Sequence, residues 1–235
     1  MVNASDVPKD PITLSLLYAV HRVEGLRVAD QNSANRFMNV AEAMGRSLQQ
    51  TSISTNIKER LDYSCALFSH TGDLVANAPF IPVHLGSMSF AVKFQLERWA
   101  GQLYPGDVFL ANSPIAGGSH LPDLTVITPI FDPTPGKEDQ IIFFTASRAH
   151  HSDIGGIIGG SMPATSTTLA EEGAEIVSFK LVSQGVFDQK GLYELLVDIP
   201  AKYPGGSGCR NYRDVESDIK AVGILQLARI SKLTR

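Results

Sequence analysis

Three of the six histidines fall in two glycine-rich segments that also carry carboxylates. The first is Gly117-Gly118-Ser119-His120-Leu121-Pro122-Asp123, and the second is His150-His151-Ser152-Asp153-Ile154-Gly155-Gly156. Neutral imidazoles and carboxylates on loops suit a divalent transition metal. Such an ion polarises a carbonyl oxygen or lowers the pKa of a bound water to about 7. Pro122 argues against helix here, so His120 and Asp123 form a loop pair. The adjoining glycines let backbone approach a ligand closely. The same residues also fit a structural role, with imidazoles bonded to loop backbone and Asp153 capping a turn. Spacing alone leaves both readings open.

The elements between the two segments bring them together. Leu124–Phe131 starts directly after the first segment and Ile141–Ser147 ends just before the second; both read as strands. Asp132–Gln140, with two prolines and Gly136, closes them into an antiparallel hairpin, which puts the start of one strand beside the end of the other. His120 and Asp123 then share an edge with His150, His151 and Asp153.

Around this hairpin the pattern predicts an α+β fold: a mixed, largely antiparallel sheet with helices packed to one side. Phe37, Val40, Ala41, Met44 and Leu48 mark one face of a helix, with a break expected between residues 18 and 34. Tyr63–Phe68 and Leu74–Ala76 flank a Gly72 turn as a hairpin. Pro79 and Pro82 predict a loop, followed by a helix over Ser87–Ala100 and a strand at Val108–Ala111. Further on come a short helix near 169–173, a strand near 176–181, a helix near 191–197 and an amphipathic helix over 214–233. Residues 1–10 read as a loose arm, and 11–235 as one domain.

Other features carry less. Gly155–Gly160 lacks the Lys-Ser/Thr of a phosphate loop and reads as structural. Cys65, in an apolar strand, reads as a buried inert thiol. His84 lines a pocket or is a satisfied loop histidine. Glu59 and Arg60 form a solvated pair unless a neighbouring site claims them.

Composition narrows the function classes. The 235 residues are 43% hydrophobic and 19% charged, which excludes a disordered chain. A net charge of −4 gives no electrostatic footprint for nucleic acid. No apolar run approaches the roughly 20 residues a membrane helix needs, and no signal-peptide core is present. Two cysteines make neither a disulfide framework nor a four-thiolate zinc site, which points to a reducing, cytoplasmic setting.

Several strings in register resemble the hydantoinase B/oxoprolinase family. They are Thr51–Phe68 (TSISTNIKERLDYSCALF), Ile81–Met88 (IPVHLGSM), Ala116–Asp123 (AGGSHLPD) and Ser161-Met162-Pro163. The likeness runs from about Asn35 to the C-terminus and is greatest to the hydantoinase-B-like half of ATP-dependent 5-oxoprolinases. It implies an incomplete hydantoinase-B-like domain contributing to hydrolysis of 5-oxo-L-proline to L-glutamate. A hydantoinase-A-like half, absent here, would bind ATP and Mg and phosphorylate the amide oxygen. Relatives include N-methylhydantoinases and ketone carboxylases; a chain that only associates with a longer relative is the non-catalytic alternative. The resemblance implies a divalent metal (Mn, Zn or Fe) on His120, Asp123 and one of His150 or His151, with Asp153 nearby. Glu59 and His84 match pocket positions, and a homo-oligomer is expected for the full-length protein. Residues 17–34 depart from the family pattern as an insertion.

Overall fold

The computed structural model describes residues 31–231 apart from 79–80 and 161–162. The arm over 1–10 and the departure at 17–34, up to residue 30, lie outside them. Gln31–Thr51 form helix α1, Pro82–Arg98 helix α2 and Tyr212–Ser231 helix α3. The strands are β1 (Tyr63–Ser69), β2 (Leu74–Asn77), β3 (Val108–Ala111), β4 (Asp123–Phe131), β5 (Ile141–His150), β6 (Phe179–Ser183) and β7 (Val186–Phe187). They build one sheet in the order β2-β1-β5-β4-β3-β6-β7. Every pairing is antiparallel, so the mixed character expected from the sequence is absent among the described residues.

Helices cover both faces rather than one. Side chains alternate across a strand, so Cys65, Leu124, Val126 and Ala149 face one way while Ala66, Ile127, Phe144 and Ala146 face the other. The first set joins Leu48 of α1 and Val215 and Ile219 of α3 in the larger core. The second packs under Met88, Ala91 and Val92 of α2. Val40 and Ala41 of α1 meet Leu67, Ile130 and Phe143, so the apolar stripe read from the sequence does face the sheet. On α3, Val215 and Ile219 are buried within this chain's own core. The remainder of that stripe lies outside the described side chains.

Two boundaries differ from the sequence reading. Helix α2 starts at Pro82, not Ser87, because proline at the first helical position gives up an N–H that is unpaired there anyway. This places His84 in the first helical turn. The strand expected near 176–181 begins at Phe179, since Ile176 donates its N–H to the Asn112 side chain instead of a strand partner.

Candidate metal centre

Strand register builds the site. Antiparallel pairing sets Asp123 opposite His150 and Thr125 opposite Arg148. On the other side of β5, Ser64 pairs with Arg148, and the His150 N–H bonds the Asp62 carbonyl just before β1. Three adjacent strand ends thus present two polar rows on the face beneath α2: Asp62, His150 and Asp123, then Ser64, Arg148 and Thr125. The next row inward, Ala66, Ala146 and Ile127, is apolar core. Sheet geometry alone concentrates these six side chains.

Two covering segments complete the cluster. The first turn of α2 brings down His84, which is buried. The loop after the 3₁₀ turn Pro114–Ala116 brings in Ser119 and His120. Glycine makes this close fit possible. A Cβ on Gly117, at φ +81°, would lie 2.4 Å from the Ala91 nitrogen of α2, and one on Gly118 would lie 1.8 Å from the Asn112 carbonyl oxygen.

Asp123 is wholly buried and is the focus. His120 Nδ1 lies 2.6 Å and His84 Nε2 3.1 Å from its Oδ2, and His150 Nδ1 3.0 Å from its Oδ1. Ser119 Oγ donates to Oδ2 at 2.5 Å. The His120 and His150 rings stack with centroids 5.0 Å apart. Burial alone would raise the Asp123 pKa. Hydrogen bonds from His120, His150, His84 and Ser119 outweigh it and hold the carboxyl far below the usual carboxylate range. The bond to Asp123 in turn raises the pKa of His120. His84 Nδ1 lies 3.3 Å from Ser64 Oγ, so the ring is held between Ser64 and Asp123.

Ligand atoms of His120, Asp123 and His150 all lie within 4.8 Å of one another. Two imidazole nitrogens and one carboxylate are a donor set for borderline divalent ions such as Zn, Mn or Fe, and leave positions free for water or substrate. These residues fit a metal.

The structure sorts the other candidate residues. His150, not His151, faces the cluster. His151 is buried with its Nδ1 unpartnered, and burial pushes its pKa down to about 4. Asp153 lies in a different setting, accepting from the Gly155 N–H at 2.8 Å and from Arg210 Nη1 at 3.1 Å. That arrangement matches its alternative reading as a turn cap. Glu59 ends the short helical turn Thr55–Lys58, is exposed, and is not in the cluster. Gly156 pairs with Ser207 in both directions, in keeping with a structural loop. The Cys65 thiol is fully buried and pushed up to about 12, as an inert thiol should be.

Asp62, Ser64, Thr125 and Arg148 escaped the sequence reading. Asp62 lies 4.0 Å from His84 Nε2 with its side chain 32% exposed, at the open rim of the cluster. Its signal was its place one residue before β1, opposite the end of β5. Arg148, the largest fully buried side chain among the described residues, lies just beyond the strand read from the sequence as ending at Ser147.

The chain is 54% identical over 188 residues to the 5-oxoprolinase of Saccharomyces cerevisiae, covering 80% of this chain and 14% of that protein. It is 50% identical over 217 residues to 5-oxoprolinase 1 of Arabidopsis thaliana, covering 90% of this chain and 16% of that protein. The chain therefore spans about a sixth or less of these relatives. Among solved structures, the ATP-dependent caprolactamase of Pseudomonas jessenii matches with a TM-score of 0.63 and 28% identity, over 95% of this chain and 37% of that one. The profile of Hydantoinase B/oxoprolinase matches residues 31–228, and the chain belongs to that family.

Proposed function

We propose that this chain supplies the metal-holding, hydrolytic region of an ATP-dependent cyclic-amide hydrolase that converts 5-oxo-L-proline to L-glutamate. The carrying observation is the convergence of His120, His150 and the ionised, buried Asp123 at the paired ends of β4 and β5. One likeness favours a lactam substrate over a ketone, the 50–54% identity to proteins named 5-oxoprolinase; the fold itself is shared with a caprolactamase and an acetone carboxylase alike.

His120 and His150 would hold the ion through Nδ1, and Asp123 through its carboxylate. A divalent metal bound there, whether Mn, Zn or Fe, supplies a water of lowered pKa or a polarised carbonyl. Asp62, at the open rim, accepts the proton of the attacking water. His84 is buried and bonded on both sides, so it holds Asp123 rather than meeting substrate. His151 and Asp153 shape the second segment, and Glu59 stands at the surface beyond it.

Lactam hydrolysis needs activation, which a hydantoinase-A-like half with ATP and Mg would supply by phosphorylating the amide oxygen. Water then adds at the activated carbon, the ring C–N bond breaks with nitrogen taking a proton, and water again releases the phosphate. Residues 11–235 act as one domain of this cytoplasmic assembly, which is a homo-oligomer when complete.

The test is reconstitution with a hydantoinase-A-like partner, ATP, Mg and Mn, offering 5-oxoproline, N-methylhydantoin and acetone with bicarbonate in parallel. Glutamate release from 5-oxoproline, absent without the partner, is the expected result. Turnover of only the hydantoin or the ketone overturns the substrate assignment.

A further inference from the structure

We propose that Arg148 is the positioning residue of this site, a buried guanidinium whose fork fixes the three segments that carry His84, His120 and Asp123. Its Nε donates to Thr125 Oγ1 at 2.7 Å, two residues along β4 from Asp123. Its Nη1 donates to the His84 carbonyl at 3.3 Å and to Ser87 Oγ, both on the first turns of α2. The same nitrogen reaches Ser119 Oγ at 3.3 Å, and Nη2 donates to the Gly117 carbonyl at 2.7 Å, both on the loop that carries His120. Arg148 itself stands two residues before His150 on β5.

Burying a cation is expensive unless its hydrogen bonds are satisfied. A neutral side chain would fill the same volume without that cost, and lysine offers a point charge rather than a planar fork. The arrangement makes sense if the fork's rigidity is what the site needs. Its acceptors are hydroxyls and carbonyls of the covering segments, and its charge reaches Asp123 through Ser119 Oγ, which donates onward to Asp123 Oδ2. Removing the fork unties loop 117–120 from α2 and from Thr125, leaving only its bonds to Asp123 to hold it to the sheet. The inward row, Ala66, Ala146 and Ile127, remains packed, so the effect is confined to the polar rows.

The inference rests on reading His120, Asp123 and His150 as metal ligands, and the experiment separates the two. Wild type, Arg148→Lys, Thr125→Val and Ser119→Ala are compared as full chains with Co²⁺ as probe. Affinity is measured by chelator competition and ligand geometry by the visible spectrum, with folding checked by circular dichroism. Partners that orient metal ligands typically contribute 10- to 100-fold in affinity. Arg148→Lys should bind Co²⁺ 10- to 100-fold more weakly with an altered spectrum, and each single-contact variant several-fold more weakly. A merely structural arginine would lower thermal stability and leave the spectrum alone. Folded variants with wild-type affinity and spectrum overturn the role of Arg148. Should Arg148→Lys fail to fold, Thr125→Val decides alone, because Ser119 also bonds Asp123 directly. Wild type that binds no Co²⁺ overturns the metal reading itself, and Arg148 falls with it.

Discussion

Replacing Asp123 by asparagine removes one charge and no volume, yet it should be among the most damaging single changes in this chain. Three donors converge on Oδ2, from His120, His84 and Ser119, and one on Oδ1, from His150. The amide must therefore keep its oxygen at Oδ2 and turn its NH₂ toward His150, forcing that ring into its other tautomer. All four bonds change from charge-assisted to neutral, a loss of roughly 1 kcal/mol each. Arg148 also loses the nearest compensation for its buried charge. Together these give about 3–5 kcal/mol, the usual cost of removing one member of a buried charged network. For a chain of this size that lowers Tm by roughly 6–20 °C. The assay is urea unfolding of the chelator-treated chain across pH. Asp123 has a lowered pKa, so its contribution is present above about pH 4 and fades as pH falls through the depressed folded value. His120 has a raised pKa, so its contribution is complete below about pH 6.5 and fades as pH rises through the elevated folded value. The cluster's contribution should therefore peak between about pH 4 and 6.5 in wild type, and Asp123→Asn should flatten that profile. A variant within about 1 kcal/mol of wild type, with an unchanged pH profile, refutes the reasoning, because four weakened bonds should together exceed that several-fold.

The tandem histidines should separate cleanly: His150→Ala loses the bound metal, whereas His151→Ala retains it while unfolding more readily, as equilibrium dialysis and thermal melts will show. Gly118→Ala drives a methyl into the Asn112 carbonyl, so the loop must shift. We expect at least a tenfold loss of metal affinity by chelator competition, and unchanged affinity would contradict the close-fit account. Burial raises both the Cys65 and Cys209 thiols to about 12. Neither should react with an aromatic disulfide reagent at pH 8 until the chain unfolds, and fast labelling of the native state would speak against that burial.

The sequence was most informative where local rules act. The prolines and Gly136 between two β runs announced the β4–β5 hairpin, and from it the meeting of Asp123 with His150 could be foreseen. It was silent where register and covering segments decide. Nothing local says that β1 lies against β5, so the approach of Asp62 and Ser64 could not be read, and the motif pointed to Glu59, three residues away. Two prolines before His84 predict a loop, although one of them is a favourable helix start. Arg148 was the hardest to see. A lone arginine on a strand resembles a solvated charge until α2 and the Gly117–His120 loop close over it. Asp153 shares the glycine-rich, histidine-bearing context of His120, Asp123 and His150, but Arg210, 57 residues later, claims it.

The most direct test of the metal centre is anomalous diffraction from crystals of the chain grown with Mn or Zn. The account predicts one peak bonded to His120 Nδ1, His150 Nδ1 and the Asp123 carboxylate. A peak centred on Asp153 or His151, or no peak in crystals whose solution binds metal at that concentration, would contradict it.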